Sequence, residues 1–359
     1  GVLPENWARI YGMVENIDWN FGRARRTIES IFGSESTILV FVSDHGPCGS
    51  AVVNGKDRFN HGRRGRKGTI YQGGLESPCF WHWPSGGIHG GRDIDRVANP
   101  IDIMPTLAGI CGFETPQDRT IDGADLSPLL RGDADAAARW KDRKIFVHFH
   151  RGDEPIRYRN YAVIAEGEKL CCAYPNGQGE ELFDLNADPT ETTDLSAERP
   201  SRVVELRAAY DEWFDDVGAT RPDNYAPPRI VVGTAWENPV VLNRNDWRIR
   251  IEEGQWKAPE HDGFWLVRFA EPGPYDVTVW VPPHNCSASV RLKIEDVVWT
   301  AQLSDGGDRA EFKGLDLPIG NARIEAQNIG GGRVHGAAFI RLASRNYSQK
   351  TDLQRPVQN

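Results

Sequence analysis

Apolar side chains recur at three- and four-residue steps from Trp7 to Phe32 and predict a long amphipathic helix. An uninterrupted apolar run, Thr37–Val42, follows and predicts a strand. A run without polar alternation is typical of a parallel strand covered on both faces. A second helix is predicted from Ile101 to Cys111, with Pro105 in its first turn and Gly112 at its end.

Shorter apolar segments follow and predict a small antiparallel sheet, with strands at Lys144–Phe149, Tyr161–Ala165, Lys169–Tyr174 and Glu181–Asp184. An amphipathic helix over Ser201–Val217 closes this region.

The pattern changes after the proline-rich segment Arg221–Pro228, where a linker is expected. Beyond it, alternating segments recur at short spacing and predict a β-sandwich, with strands at Trp247–Ile251, Phe264–Phe269, Tyr275–Val281, Ala288–Ile294, Arg323–Gln327 and Val334–Leu342. The tryptophans here can stack on sugars, but most are expected in the core. The residues from 346 to 359 are predicted to be a polar tail.

Composition narrows the function classes. The chain has 359 residues, 39% of them hydrophobic and 26% charged, with a formal net charge of -9. The negative charge argues against nucleic acid as the main partner. No apolar run approaches the length of a membrane span. The six cysteines show neither a disulfide framework nor zinc-site spacing.

Candidate chemistry lies just beyond the strand at Thr37–Val42. Asp44 and His45 follow at its carboxyl end, where ligands bind in open α/β sheets. A cationic, glycine-rich loop from Arg58 to Gly68 comes next. A metal-ligand pair followed by such a loop suits a tetrahedral oxyanion. The alternatives are a capped turn for the pair and a solvated basic loop for the cations.

These segments, in their order, resemble the second half of a sulfatase catalytic domain in the alkaline-phosphatase superfamily. The matching residues are Tyr11–Asp18, Val42–Gly46, Arg64–Gly68 with Tyr71–Gly74, Asp102–Leu107, Asp122–Leu126 with Pro128–Leu130, and Glu181–Leu185 with Asp188–Glu191 and Asp194–Leu195. The resemblance implies an α/β fold: part of a sulfatase-like mixed sheet flanked by helices, with a small antiparallel C-terminal subdomain. The predicted domains are 1–143, 144–220 and the all-β sandwich 226–345.

The resemblance also implies roles for individual residues in sulfate monoester hydrolysis. Asp44 and His45 would bind a divalent metal. Ca²⁺ is expected from the family, although the imidazole leaves Mg²⁺ or Mn²⁺ open. Lys67 would bind a sulfate oxygen and steady the leaving alkoxide, and His45 would ligate the metal or hold the nucleophile. Arg64 and His61 are weaker candidates for substrate contact.

The family nucleophile is not found in this sequence. It is a formylglycine made from Cys or Ser in a Cys-x-Pro/Ala-x-Arg motif, and none of the six cysteines has that setting. The early Asp-Asp metal pair is also absent, and Gln72 stands where the family usually has Glu. The chain is therefore expected to be the C-terminal part of a longer enzyme and to be inactive alone.

Two alternative functions stay open. One is a phosphonate or phosphodiester hydrolase of the same superfamily, which the Asp-His pair permits. Another is a non-catalytic, carbohydrate-binding protein with a degenerate sulfatase-like fold. A sulfated small molecule or carbohydrate is the expected partner, and a periplasmic or secreted location is expected from the family.

Overall fold

The structure of the protein is a computed structural model. It describes residues 4–48, 59–135, 140, 143–150, 154–174, 178–220, 225–249, 262–282, 288–304 and 306–347. Arg58, Trp256, Cys286 and most of the predicted polar tail lie outside these ranges. The chain divides into two compact units, Gly1–Pro222 and Asp223–Asn359. No helix in the described part is long and apolar enough to cross a bilayer.

The first unit has mixed α/β structure, in agreement with the predicted fold class. Its helices are α1 (Glu5–Phe32), α2 (Gln72–Leu75), α3 (Ile103–Cys111), α4 (Ser127–Arg131) and α5 (Pro200–Ala219). Its strands are β1 (Leu39–Val42), β2 (Cys79–His82), β3 (Ile145–His148), β4 (Tyr161–Ala165), β5 (Glu168–Cys172) and β6 (Glu181–Asp184).

The strand that leads into the candidate site is less covered than its sequence predicts. β1 pairs antiparallel with β2, so the prediction of a parallel strand is wrong for the pairing that the structure describes. No residue of β1 is fully buried, and Val42 is exposed. The described part of α1 buries no residue either. Apolar side chains of α1, β1 and β2 instead line an open apolar cavity of about 380 Å³. An apolar run in the sequence indicates that a strand tends to be buried. It does not indicate whether the neighbouring strand runs parallel or antiparallel.

The antiparallel sheet β3-β4-β5-β6 is the best-packed part of the first unit. Every residue of β4 is buried, because one face packs on α5 and the other on the loop that leads into α2. Tyr161 and Tyr210 meet with ring centroids 4.1 Å apart between the sheet and α5. The sheet carries Lys169 and Glu181, which contact Gln72 and Arg64 near the candidate site.

The second unit is all-β, with two sheets around one core. Its strands are β7 (Ile230–Val232), β8 (Val240–Asn243), β9 (Arg248–Ile249), β10 (Gly263–Phe269), β11 (Gly273–Trp280), β12 (Ala288–Ile294), β13 (Val297–Leu303), β14 (Arg309–Leu317), β15 (Gly320–Gly330), β16 (Arg333–Gly336) and β17 (Phe339–Ser344). The seven-stranded sheet has the order β13-β12-β15-β10-β7, with β16 added to β15 and β9 to β10. The four-stranded sheet has the order β14-β11-β17-β8.

Alternate residues of these strands fill the space between the two sheets, as the sequence alternation indicates. Trp265 is fully buried there, and its Nε1 donates to the Asn243 carbonyl at 2.8 Å. Trp247 and Trp280 are also buried, whereas Trp236 is 91% exposed. Core burial, expected for most of these tryptophans, is thus observed for these three, and Trp236 is an exception.

The predicted independence of residues 226–345 can be tested by expressing them alone. The second unit has a core of its own, so we expect a monomer with a cooperative unfolding transition. Trp265→Ala should lower its free energy of unfolding by about 3–5 kcal/mol, since it removes a large buried side chain. Trp236→Ala is the matched control and should change it by less than about 0.5 kcal/mol. Denaturant unfolding measures both, and an unfolded isolated segment would refute the domain boundary.

Candidate functional site

Two loops meet at the carboxyl end of β1 and are joined through their main chains. The Gly46 amide donates to the Gly74 carbonyl at 3.0 Å, and the Lys67 amide donates to the Pro47 carbonyl at 2.9 Å. A Cβ atom on Gly46 would lie 2.0 Å from the Gly73 carbonyl oxygen. Glycine is therefore required at position 46 for this approach. The structure thus brings the Asp44-His45 segment and the Lys67 loop together, as the sequence predicts.

Asp44 and His45 present two donor atoms side by side. Nε2 of His45 lies 3.2 Å from Oδ2 of Asp44, whose side chain is 82% exposed. Nδ1 of His45 lies 2.7 Å from the Gly46 carbonyl oxygen. A carbonyl oxygen only accepts, so this contact places the hydrogen on Nδ1. In the neutral ring, Nε2 is then a lone-pair donor beside the carboxylate, the arrangement of a metal-ligating histidine.

Two candidate residues of the basic loop, Lys67 and His61, have side chains exposed to solvent. Lys67 is exposed, so its ammonium group is accessible while its main chain is fixed to Pro47. His61 is exposed too, and its φ of 64° puts it in the left-handed region. The His61 ring lies 5.7 Å from that of Phe59, and the structure records no contact between His61 and Asp44 or His45. The role of His61 stays a prediction.

Arg64 points toward the sheet β3-β4-β5-β6. Its guanidinium lies 3.9 Å from the Tyr71 ring centroid, and Nη1 donates to Oε1 of Glu181 at 3.0 Å. Nη1 also donates to the Glu191 carbonyl at 3.1 Å. Burial lowers the pKa of Arg64, but the hydrogen bond and charge of Glu181 outweigh it and raise the pKa. These contacts brace the loop, and a role of Arg64 in substrate binding stays a prediction.

Two protein-family models match the region of the chain that contains these residues. A family model described as "Sulfatase" matches residues 5–113. A second, described as "N-sulphoglucosamine sulphohydrolase, C-terminal", matches residues 62–210. The two matches overlap across the Lys67 loop and together contain both parts of the candidate site. Residues 5–210 belong to the sulfatase family. The resemblance inferred from the motifs is confirmed over this range.

Sulfatase relatives are similar over the same region. Steryl-sulfatase of Mus musculus is 31% identical over 227 residues, with 55% of this chain and 35% of that protein covered. Steryl-sulfatase of Homo sapiens is 32% identical over 244 residues, with 60% and 41% covered. N-acetylglucosamine-6-O-sulfatase of Bacteroides thetaiotaomicron is 26% identical over 211 residues, with 58% and 35% covered. The matches thus span well under half the length of these curated relatives.

A solved structure, Ps i-CgsB in complex with k-i-k-neocarrahexaose, is also similar. It shows 22% identity and a TM-score of 0.49, with 59% of this chain and 44% of that chain covered.

The donor set fits part of the divalent-metal site that sulfatases generally use. Asp44 and His45 offer one carboxylate oxygen and one imidazole nitrogen within reach of a single ion. No cluster of three or more His, Cys, Asp or Glu suited to a metal occurs among the described residues. These two residues supply far fewer ligands than the six or more oxygens that Ca²⁺ binds in proteins.

We therefore expect weak metal binding by this chain. Calorimetric titration with Ca²⁺ and with Mn²⁺ should give dissociation constants of about 1 mM or weaker, because only two donors are in place. Asp44→Asn should abolish the Mn²⁺ signal, and Asp118→Asn, which removes an exposed carboxylate paired with Arg119, should leave it unchanged. Micromolar binding that persists in Asp44→Asn would mean that the ion sits elsewhere.

The sequence does not reveal the groups that hold the site loops from below. Tyr71, Lys169, Glu181 and Glu191 form a polar cluster under the Lys67 loop. The pKa of the Tyr71 hydroxyl is raised, mainly by burial and also by its hydrogen bond to Glu181. Glu181 and Glu191 belong to two motifs of the resemblance, but the motifs alone assign them no contact.

Two of the described cysteines are poorly suited to act as a nucleophile. Cys171 and Cys172 are buried in β5, and burial raises the pKa of Cys171 to about 12. A thiol with so high a pKa is almost entirely protonated at neutral pH and is a poor nucleophile.

Proposed function

We propose that this chain provides the C-terminal part of an enzyme that hydrolyses sulfate monoesters. The S–O bond of the ester would break, water would supply the new oxygen, and the products would be an alcohol, sulfate and a proton. The observation that carries the proposal is the main-chain pairing of the two site loops, which puts Asp44 and His45 beside the loop of Lys67.

Each residue has a distinct role in the proposed reaction. Asp44 and His45 would hold the divalent ion, which neutralises sulfate charge and acts as a Lewis acid. The exposed Lys67 ammonium would bind a sulfate oxygen and stabilise the negative charge that develops on the leaving alkoxide. The hydrogen bond from the Lys67 amide to the Pro47 carbonyl fixes the main chain of Lys67 next to the Asp44-His45 segment.

The attacking group is proposed to come from outside this sequence. The sulfatase nucleophile is a formylglycine formed from Cys or Ser in a Cys-x-Pro/Ala-x-Arg motif, which these 359 residues do not contain. The purified chain should therefore show no turnover of 4-nitrophenyl sulfate above the buffer rate, with or without Ca²⁺. Turnover that disappears in Lys67→Ala would contradict this, because the chain would then have a complete site.

Sequencing the coding region upstream of Gly1 tests the proposal itself. A Cys-x-Pro/Ala-x-Arg motif and an Asp-Asp pair in the same reading frame would support it. The extended protein, co-expressed with a formylglycine-generating enzyme, should release sulfate from model esters. An extended frame without these motifs would favour a non-catalytic, carbohydrate-binding protein instead.

A sugar sulfate is the proposed substrate class, because an added β-sandwich is common in carbohydrate-active enzymes. The extended enzyme should then prefer sulfated sugars to 4-nitrophenyl sulfate. A second candidate function is phosphonate hydrolysis, which the Asp44-His45 pair permits. The imidazole of His45 is an unusual ligand for Ca²⁺ and suits Mn²⁺ better. Faster hydrolysis of a phenyl phosphonate than of 4-nitrophenyl sulfate, with Mn²⁺ present, would favour this function.

A periplasmic or secreted location remains a proposal from the family.

A further inference from the structure

A buried ion pair lies beneath the candidate site. Nζ of Lys169 on β5 lies 2.7 Å from Oε1 of Glu191, and both side chains are 0% exposed. Burying two charges costs several kcal/mol per ion unless each is well paired and hydrogen-bonded. The ion pair therefore needs additional hydrogen-bond partners, and Gln72 in α2 supplies them.

Glu191 and Lys169 both contact the first residue of α2. The Gln72 amide donates to Oε2 of Glu191 at 2.7 Å, and Nζ of Lys169 donates to Oε1 of Gln72 at 3.3 Å. Each Glu191 carboxylate oxygen therefore accepts one hydrogen bond. The neutral Gln72 amide completes the cluster without a second buried negative charge, which a glutamate at this position would bring.

Glu191 is itself held firmly. It has a left-handed backbone with φ of 55°, unusual for a residue other than glycine. Glu191 lies within a turn that Asp188 closes, because the Asp188 carboxylate accepts from the Thr192 and Thr193 amides at 2.7 and 2.8 Å. Burial raises the pKa of Asp188, but hydrogen bonds from Thr193, Thr190 and Thr192 outweigh it and lower the pKa to about 2.

The anchored residue is directly connected to the site. Gly73 and Gly74 follow Gln72 in α2, and the Gly74 carbonyl accepts from Gly46, next to His45. The Gly73 amide donates to the Arg64 carbonyl at 2.7 Å, which fixes the other end of the loop that carries Lys67. A displacement of Gln72 would therefore move the Asp44-His45 segment relative to Lys67.

We propose that the buried Lys169–Glu191 pair is a positioning device that holds the two halves of the candidate site together through the main-chain N–H of Gln72. Lys169 and Glu191 are positioning residues, because they act through Gln72 and contact neither Asp44 nor His45. The term "site" rests on the proposed function, but the mechanical coupling does not.

The Gln72 amide can be removed almost in isolation. Gln72 is the first residue of α2, where proline is favoured, and Tyr71 before it has φ -75° and ψ 160°, which proline tolerates in its neighbour. Gln72→Pro and Gln72→Ala both lose the side-chain amide. Only Gln72→Pro loses the N–H that Glu191 accepts, so their difference isolates that hydrogen bond.

Amide hydrogen exchange of the full chain, read by mass spectrometry, tests the proposal. In Gln72→Pro, exchange should rise at least about tenfold in peptides that contain the Gly46 and Lys67 amides, as expected for loss of a hydrogen bond to a charged acceptor. Gln72→Ala should keep the parent protection there. Peptides of β4 and α5 should be unchanged in both variants. Equal protection in the two variants would overturn the proposal.

A second variant pair keeps the test decisive if Gln72→Pro unfolds. Lys169→Met/Glu191→Leu and Lys169→Met/Glu191→Gln both remove the two buried charges. Only the Gln variant keeps an oxygen that can accept from the Gln72 amide. We expect loss of protection at Gly46 and Lys67 in the Leu variant and its rescue in the Gln variant. Equal exchange in both would show that the pair serves stability alone, and neither outcome depends on sulfatase activity.

Discussion

Lys67→Ala should lower kcat/KM for sulfate-ester hydrolysis by about 10²–10³-fold in an extended enzyme that contains the nucleophile. Removal of one group that stabilises transition-state charge has an effect of this size. The loss should fall mainly on kcat, because charge on the departing alkoxide develops in the transition state. Steady-state kinetics with 4-nitrophenyl sulfate measures it.

The matched control is Lys313→Ala, an exposed lysine of the second unit whose side chain is 67% exposed. It should leave kcat/KM unchanged, and neither variant should shift the melting temperature. A Lys67→Ala enzyme with parental kcat/KM would remove Lys67 from the reaction. A poorer substrate leaving group should enlarge the defect if Lys67 acts on the alkoxide.

Lys169→Met should strongly destabilise the first unit. It leaves the Glu191 carboxylate buried without its cation, which typically costs about 3–5 kcal/mol. For a unit of this size, that corresponds to a drop of roughly 6–20 °C in melting temperature. Thermal unfolding followed by circular dichroism checks it.

Two further variants separate charge from packing. Lys169→Met/Glu191→Gln leaves no buried charge and should recover most of the loss. Lys313→Met breaks a Lys–Glu pair at 3.2 Å that is exposed to solvent, and it should change the free energy of unfolding by less than about 0.5 kcal/mol. A single Lys169→Met variant as stable as the parent would mean that water or another cation reaches Glu191.

Much of the fold follows from local pattern. The strands predicted at Tyr161–Ala165, Glu181–Asp184 and Ala288–Ile294 have the observed bounds. Their apolar periodicity reflects which side chains are buried, and burial is set largely by the sequence itself. The motif order likewise predicted the meeting of the Asp44-His45 segment with the Lys67 loop, which the Gly46 and Lys67 amides bring about.

Other features depend on partners far away in sequence. The apolar run of β1 was predicted to be parallel and covered on both faces, yet it pairs antiparallel with β2 and stays partly exposed. Arg64 was a candidate for substrate contact, and only the fold shows that Glu181, 117 residues further on, accepts its hydrogen bond. A charged side chain has the same sequence signature whether it faces substrate or braces a loop.

The sequence by itself determined the family, the position of the candidate site and the types of residue in it, because these depend on short motifs around fixed glycines. The tertiary structure decided how that site is held. Lys169 and Glu191 are far from Gln72 in sequence, and each residue type is usually exposed. Only folding removes both from water and brings the main-chain N–H of Gln72 to Glu191 and its side-chain oxygen to Lys169, so that a buried charge pair supports the main chain of the site.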